Sequence, residues 1–182
     1  ADNIPAGFVY DPATQMTGDG ALAVNRQNRI STFSDGTSNT LMFSEVKAYT
    51  PYFRNASIGG SLTMPEFPAD VAGMGGDFKT NSGHTEWVDG RTHQTGVTST
   101  FPPNTAVFHE ENGAEYDIDW TNQQEGRSDT ARTYAAVTSR SYHSGGVNTC
   151  RADGSVHFVT DEIDRIAWQA QSTRNGGEVT IE

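Results

Sequence analysis

The alternation of apolar and polar residues near the C-terminus predicts a β-hairpin. Residues 147–151 and 156–160 alternate in this way, and the dipeptide Asp153-Gly154 lies between them. Glycine adopts positive φ without steric cost, so Asp-Gly is typical of the tight primed turn that joins two antiparallel strands. We therefore predict two paired strands here, connected by a primed turn.

A helix is predicted directly after this hairpin, beginning at Thr160 or Asp161. Its first turn is rich in carboxylates, which are favoured at the positive end of a helix. Four apolar side chains then recur at the spacing of one helix face: Ile163, Ile166, Ala167 and Ala170. The pair Gly176-Gly177 is typical of a helix C-terminus, and residues 178–182 are predicted to form a last strand.

The rest of the chain contains only short apolar segments, which predict strands joined by turns and loops. Strands are predicted at 21–24, 40–49, 85–88, 96–101, 105–108 and 132–138, with an extended lead-in over 1–20 and long loops over 55–83 and 109–129. The 182 residues are thus predicted to form one domain. Its class is α+β and mainly β, with an antiparallel sheet, long irregular loops and one C-terminal packing helix.

Composition narrows the possible functions. The chain has 23 acidic and 12 basic residues, for a net charge of −11, which argues against binding to nucleic acid or to an anionic membrane surface. Its single cysteine, Cys150, cannot form an intramolecular disulfide. No apolar run approaches the roughly 20 residues of a membrane helix. Because the chain starts at Ala1 instead of Met, we expect that an upstream segment has been removed.

His143 and Asp153 are the first candidates for chemistry. They could act as an acid and base pair or bind a metal ion. Alternatively, His143 contacts backbone beside Gly145 and Gly146, where the chain can approach closely, and Asp153 forms the hairpin turn. We favour the structural interpretation, because Asp-Gly in a hairpin requires no further function.

The segment 34–45 places a hydroxyl group among carboxylates, which invites a hydrolase hypothesis. The relevant side chains are Asp35, Ser38, Asn39 and Glu45. However, no G-x-S-x-G nucleophile motif is present. We favour a turn that begins at Asp35-Gly36 and is capped by its own side chains.

Metal and carbohydrate binding are further hypotheses. His84, Glu86, Asp89 and His93 cluster around Trp87 without the spacing of a zinc helix. The acidic segment 109–129 could offer oxygen ligands to Ca²⁺, with Asp117 and Asp119 as candidate ligands, but the EF-hand pattern is absent. A solvated acidic loop is the favoured alternative. Trp87, Trp120 and Trp168 could line a sugar-binding face, although tryptophans of β-rich domains commonly pack in the core.

Several ordered blocks resemble a large paralogous family of planctomycete bacteria. Residues 30–45 are similar to its I-x-D-G-T-S-N-T…E block, and 45–54, 83–90, 133–143, 146–156 and 176–179 are similar to other blocks. The spacing from His143 to Asp153-Gly154 resembles the H-x9-D-G signature of prepilin-type proteins. Members resemble type IV prepilins or type II pseudopilins, which begin with a basic leader and a long apolar anchor helix. Neither feature occurs in this sequence.

The resemblance implies an exported head domain with a structural or assembly role at the cell envelope. Its location would be periplasmic, cell-surface or extracellular, its partners pilin-like or secretion-system subunits, and its membrane contact only through an N-terminal helix. The motif residues would be structural: Asp35, Gly36, Ser38, Asn39, Glu45, His143, Gly145, Gly146, Asn148, Asp153 and Gly154. Some pseudopilin heads hold Ca²⁺, which the resemblance makes an expectation here. The alternatives are a secreted calcium- or carbohydrate-binding module and a secreted hydrolase.

Overall fold

The computed structural model describes residues 7–14, 16–23, 26–56, 62–122 and 128–178. The strands within these ranges are β1 (Val9–Asp11), β2 (Met16–Thr17), β3 (Leu41–Ser44), β4 (Tyr52–Arg54), β5 (Asp77–Lys79), β6 (Phe108–Glu111), β7 (Ala114–Asp117), β8 (Asp119–Thr121), β9 (Thr133–Ala136), β10 (Gly146–Arg151) and β11 (Val156–Thr160). The helices are α1 (Pro68–Ala72), α2 (Thr92–Thr95) and α3 (Arg165–Gln171), and a 3₁₀ turn spans Ile30–Thr32.

The largest sheet has six strands in the order β2-β1-β9-β8-β4-β5. Neighbouring strands run antiparallel, except that β4 and β8 are parallel. The main hydrophobic core is built on this sheet from Phe8, Val9, Phe53, Ala56, Val71, Phe101, Val107, Ile118, Trp120, Tyr134 and Ala136. Burying one large apolar side chain of this kind stabilises a fold by roughly 1.5–3 kcal/mol, so this cluster is the main source of stability.

A second sheet of three strands, in the order β11-β10-β3, has one covered and one exposed face. Val147 and Val159 lie opposite each other on the covered face, where they pack against Trp168 of α3. Side chains alternate along a strand, so the neighbouring positions point the other way. The side chains that point the other way form what we call the outer face: Phe43, Glu45, Asn148, Cys150, Val156 and Phe158.

The strands of the C-terminal hairpin are confirmed, but the prediction of a primed turn is wrong. Cys150 pairs with Val156, so the loop is longer than two residues. The N–H of Gly154 donates to the carbonyl of Arg151 at 2.9 Å, and Gly154 alone in this turn has positive φ, at 88°. This is a type I turn followed by a left-handed glycine, the usual solution when one extra residue separates the strands.

A primed turn occurs instead in the acidic segment, where a long loop was predicted. Asn112 and Gly113 have φ of 52° and 77° and connect β6 to β7, with Glu111 paired to Ala114. Asn-Gly is a strong hairpin signal because both central residues of a type I′ turn need positive φ. The loop prediction for 109–129 is therefore wrong through 121, because the acidic side chains lie on strands; residues 123–127 lie outside the described ranges.

Helix α3 begins later than predicted and buries a different side chain. The carboxylate of Asp164 accepts hydrogen bonds from the N–H groups of Ile166 and Ala167, so Asp164 is the N-cap instead of a first-turn residue. Trp168 is 1% exposed and Ile166 is 74% exposed. The predicted apolar stripe was wrong at Ile166 because the buried face of this short helix is centred on the large Trp168 ring.

Of the other predicted strands and loops, some are confirmed and others are wrong. The strand at 132–138 is confirmed as β9, and that at 40–49 only over β3, where Phe43 is 54% exposed. No strand forms at 21–23, 85–88 or 96–101, and 105–108 contributes only the first residue of β6. The lead-in contains β1 and β2, and the loop at 55–83 contains α1 and β5. The predictions at 1–6, 15, 24, 57–61 and 179–182 lie outside the described residues.

Residues 96–101 show why one strand prediction failed. The N–H of Thr98 donates to the carbonyl of Val137, but the N–H of Val137 donates to the Thr98 hydroxyl, at 3.0 Å. A side chain thus takes the place of the return backbone bond, and the sheet ladder does not continue.

The predicted fold class is confirmed. The chain is mainly β, its sheets are antiparallel apart from one parallel pair, and a helix lies near the C-terminus. Among the described residues, no helix has the length and apolar character needed to cross a membrane.

Candidate functional site

Glu45 connects the two sequence blocks that were predicted to be structural motifs. It follows β3, and its carboxylate lies on the outer face beside β10. Oε2 of Glu45 accepts the N–H of Asn148 at 2.7 Å, and Oε1 accepts the Asn148 side-chain amide at 3.0 Å. Nε2 of His143 lies 3.2 Å from the same Oε1. The block around residue 45 and the block at 143–154 therefore meet at one carboxylate.

The environment of Glu45 favours its ionised form. Burial by itself would raise the pKa of Glu45, but hydrogen bonds from the N–H and amide of Asn148 outweigh it, together with the nearby His143. The pKa of Glu45 is consequently lowered from its usual value. A carboxylate that accepts several donors behaves in this way because the bonds stabilise the charged form.

The loop 35–40 is bonded to the hairpin turn, which joins the same two blocks a second time. The N–H of Asp153 donates to the carbonyl of Thr37 at 3.2 Å, and the N–H of Ala152 donates to that of Thr40 at 2.9 Å. The guanidinium of Arg151 donates to the carbonyl of Ser38 at 2.9 Å. The turn is thus held by backbone atoms of a loop more than 110 residues earlier in the chain.

Asp35 and Asn39 organise that loop and attach it to the segment after α3. The Asp35 carboxylate accepts the N–H groups of Gly176 and Gly177, at 2.7 and 3.1 Å. The amide of Asn39 donates to the carbonyl of Asp35 at 2.8 Å, and Gly36 has φ of 96°. This is the self-capped turn that the sequence predicts.

The glycines before β10 have different roles. Gly145 has φ of 81°, and its carbonyl accepts the N–H of Asp161. A Cβ added at Gly146 would lie 2.2 Å from the carbonyl oxygen of Val159, which is an impossible contact. Only glycine can therefore stand at 146 while the two strands remain paired.

The acid–base pair that we considered for His143 and Asp153, and did not favour, does not form. His143 contacts Glu45, whereas Asp153 accepts the N–H and hydroxyl of Ser155, at 2.9 and 2.7 Å. The Ser155 hydroxyl also lies 3.0 Å from Nε2 of His157, a contact that our sequence analysis missed. These exposed groups line the tip of a hairpin. The Ser155 hydroxyl donates its hydrogen bond to the Asp153 carboxylate instead of to a histidine, so it is not arranged as a nucleophile with a histidine base.

A buried ionic network lies between β8 and the end of β9, next to the Glu45 segment, since the backbone N–H of Arg140 donates to the carbonyl of Glu45 at 3.0 Å. Arg140 donates to both Asp117 and Asp119, and its side chain is 2% exposed. Nε2 of His84 lies 3.3 Å from Oδ2 of Asp119, and the N–H of Thr138 donates to Oδ1 at 3.0 Å. Burial by itself would raise the pKa of Asp119, but the Arg140 cation, His84 and the N–H of Thr138 together outweigh burial, and the pKa is lowered.

Comparison with protein families identifies the chain. A family model described as Protein of unknown function (DUF1559), SBP_bac_10, matches residues 6–165. The chain belongs to this family. No curated protein and no solved structure matches it. The matched residues include both motif blocks, with Glu45, His143, Asn148 and Asp153.

The arrangement of Asp117 and Asp119 in this DUF1559 protein does not fit a calcium site. Oδ1 of Asp117 accepts the N–H of Val107 at 3.0 Å, and both oxygens accept from Arg140. Ca²⁺ requires six to eight oxygen ligands, and here it would have to displace a buried guanidinium. Among the residues that the structure describes, no group of three or more His, Cys, Asp or Glu side chains could hold a metal ion.

The other hypothetical sites of this DUF1559 protein are likewise occupied or dispersed. Asp89 binds the guanidinium of Arg91, and the ring of His93 is stacked on Tyr52 at 4.5 Å. The three tryptophans do not form a sugar-binding face, because Trp120 and Trp168 are buried in separate cores and Trp87 is exposed. His84 and His143 each contact a carboxylate, yet neither imidazole has a recorded contact with a Ser, Thr or Cys nucleophile within the described ranges.

Replacing Glu45 by glutamine is expected to lower the free energy of unfolding by about 1–2 kcal/mol. The two donors of Asn148, its backbone N–H and its side-chain amide, now each bond to one oxygen of the Glu45 carboxylate. Glutamine has an NH₂ group in place of one of these oxygens, so one donor would lose its partner. Urea unfolding of the purified protein measures this change. The control is Glu111→Gln, because the Glu111 side chain is 48% exposed and contacts His109 at the surface. Equal stabilities of the two variants would contradict the prediction.

Proposed function

We propose that this chain is the exported head domain of a pilin-like or pseudopilin-like protein, with a structural or assembly role at the cell envelope. The observation that carries the proposal is the meeting of both motif blocks at Glu45. The carboxylates of Asp35, Glu45 and Asp153 and the amides of Asn39 and Asn148 all bond within the fold, which is the behaviour of a scaffold. The resemblance to the planctomycete family and its H-x9-D-G signature supports an envelope location.

The outer face is the surface that we assign to assembly. Its apolar side chains are unusually open to solvent: Phe43 is 54% exposed, Phe158 50% and Val156 69%. Neighbouring Tyr142 is 85% exposed. Contiguous apolar side chains rimmed by polar groups are typical of protein interfaces, and here Glu45 and His143 form part of that rim.

The hairpin also has a free edge next to this face. Among the described strands, β11 pairs only with β10, so its other edge carries unpaired N–H and C=O groups. An exposed edge can add a strand from another subunit, with backbone bonds providing affinity and alternate side chains providing specificity. The Glu45 contacts hold β3 and β10 in register, and this keeps the outer face rigid for such pairing.

The test compares Phe158→Asp with Ile166→Asp in the native host, from the complete gene and with an epitope tag. Both residues are exposed and apolar, but Ile166 lies on α3, away from the outer face. We expect the wild type and Ile166→Asp to be degraded by protease added after the outer membrane is permeabilised, and to be chemically cross-linked into species larger than the monomer. We expect Phe158→Asp to be exported equally but to yield few cross-linked species, because loss of a central apolar contact weakens an interface by about 2 kcal/mol, or roughly thirty-fold.

Two outcomes would overturn the proposal. The first is a protein that stays protected from protease until the inner membrane is lysed. The second is an equal yield of cross-linked species from the wild type and Phe158→Asp. Thermal unfolding of both purified variants is the folding control, because an aspartate at either exposed position should leave the fold intact.

A further inference from the structure

A cavity of about 390 Å³ lies between the two main sheets. Its walls include Val9 of β1 and Ala135 of β9 from the six-stranded sheet, and Leu41 of β3 from the three-stranded sheet. Val97 and Trp168 close it from the segment after α2 and from α3. The volume falls within the range of about 300–1,000 Å³ that is usual for small-molecule pockets.

The described residues that line this cavity carry no charged side chain. Of the chain as a whole, 19% of residues are Asp, Glu, Lys or Arg, and the net charge is −11. The described residues that line the cavity include none of these and no histidine. An ion entering it would lose its water without gaining a partner of opposite charge, which costs several kcal/mol. The lining therefore selects against anions and cations alike.

The polar groups of the lining are hydroxyls that already bond within the protein. The hydroxyl of Thr98 contacts that of Thr100 at 2.9 Å, the hydroxyl of Ser172 donates to the carbonyl of Trp168 at 2.9 Å, and Ser44 contacts Ser139 at 2.5 Å. A hydroxyl oxygen can accept a further bond while donating one. Such a lining suits a ligand that has an apolar chain and an uncharged polar group at one end.

We propose that this cavity binds a neutral amphiphile: a molecule with one alkyl chain and an uncharged hydroxyl or ester head, such as a fatty alcohol or a monoacylglycerol. The apolar walls take up the alkyl chain, and the hydroxyls of the lining receive the head. Phe43, a residue of the outer face, also contributes to the cavity wall. The inference is independent of the assembly role, because binding can be tested on the purified chain.

The experiment compares three probes of equal chain length and different charge: 1-decanol, decanoate and decyltrimethylammonium. Binding is measured by isothermal titration calorimetry and by the rise in Tm at one free concentration, since a ligand that binds only the folded state stabilises it. We expect 1-decanol to bind at least about ten-fold more tightly than either ion, because each ion must bury an unpaired charge. Equal affinities, or no binding of 1-decanol, would overturn the proposal.

Paired substitutions locate the site. Val97→Trp fills part of the cavity and should abolish the binding of 1-decanol, whereas Val88→Trp makes the same change at a side chain that is 86% exposed and should not affect it. If Val97→Trp does not fold, Val97→Glu provides the test by another route. A carboxylate in the wall should reverse the selectivity in favour of decyltrimethylammonium.

A last variant distinguishes binding in the cavity from binding on the outer face. Phe158→Asp should retain full affinity for 1-decanol, because Phe158 does not line the cavity. Loss of binding in Phe158→Asp together with its retention in Val97→Trp would assign the alcohol to the outer face and overturn the cavity proposal. Neither result bears on whether the chain assembles at the envelope.

Discussion

Replacing Arg140 by methionine is expected to lower the free energy of unfolding by about 3–5 kcal/mol. The guanidinium is 2% exposed, and it is paired with Asp119, which is 1% exposed. Removing the cation leaves a buried carboxylate whose charge is compensated only by hydrogen bonds and by His84, and a buried charge without its partner is among the most costly defects in a protein. Urea unfolding monitored by circular dichroism measures the change.

The control for this prediction is Arg29→Met, which removes the same number of atoms from an exposed position before the 3₁₀ turn. We expect a change within about 0.5 kcal/mol. Arg140→Lys is a useful intermediate, because a lysine has one ammonium group and cannot reproduce the forked contacts to Asp117 and Asp119. A loss below about 1 kcal/mol for Arg140→Met would contradict the structural role that we assign to the network.

The second large effect is a loss of stability at mildly acidic pH, caused by His93. Burial and then the nearby Arg91 cation lower the pKa of His93 from 6.5 to about 4. Both ring nitrogens lack a hydrogen-bond partner within the described part of the chain. The folded protein consequently holds this imidazole in its neutral form.

The direction of the pH effect follows from which state binds the proton. Between pH 6.5 and about 4, His93 is protonated in the unfolded chain and neutral in the folded one. The contribution of His93 to stability is therefore fully present above pH 6.5. As the pH drops to about 4, the free energy of unfolding falls by about 3 kcal/mol. The carboxylates with lowered pKa, such as Asp119, contribute their own loss below this window, at about pH 4 and lower.

The measurement is the free energy of unfolding of the wild type and of His93→Phe at several pH values between 4 and 7. Phenylalanine keeps the ring stacking on Tyr52 but binds no proton, so the variant should be less sensitive to pH by about 3 kcal/mol across the window. His157→Phe is the control, because His157 is exposed and its replacement should leave the pH profile as in the wild type. Parallel profiles for His93→Phe and the wild type would refute the prediction.

Local patterns predicted the elements whose contacts are themselves local. The pairing of β10 with β11 joins residues that are close in the chain, and alternation indicated both strands at nearly the observed bounds. The capped turn at Asp35 and Asn39 was predicted for the same reason, since its contacts lie within a few residues. The dipeptide Asn112-Gly113 is an equally local hairpin signal, but we interpreted the acidic segment around it as a loop.

Where the local sequence has only a weak preference for helix or strand, tertiary packing determined the secondary structure. Residues 96–101 were predicted to form a short strand, but the N–H of Val137 donates to the Thr98 hydroxyl instead of to a backbone carbonyl, so no ladder forms. The start of α3 depended on which carboxylate capped it, and packing of Trp168 against Val147 selected Asp164. A sequence window contains neither the partner strand nor the core, so it cannot rank such alternatives.

The sequence by itself determined the family, the mainly β class and the residues of both motif blocks, because these depend on residue order and on local periodicity. Only the tertiary structure decided what the motifs do. Glu45 and Asn148 are 103 positions apart, and the carboxylate partners of Arg140 lie on β7 and β8, 23 and 21 positions before it. The free energy of such contacts depends on burial and on distances that chain order does not specify, since one carboxylate can cap a turn, bind calcium or pair with an arginine according to what folds against it.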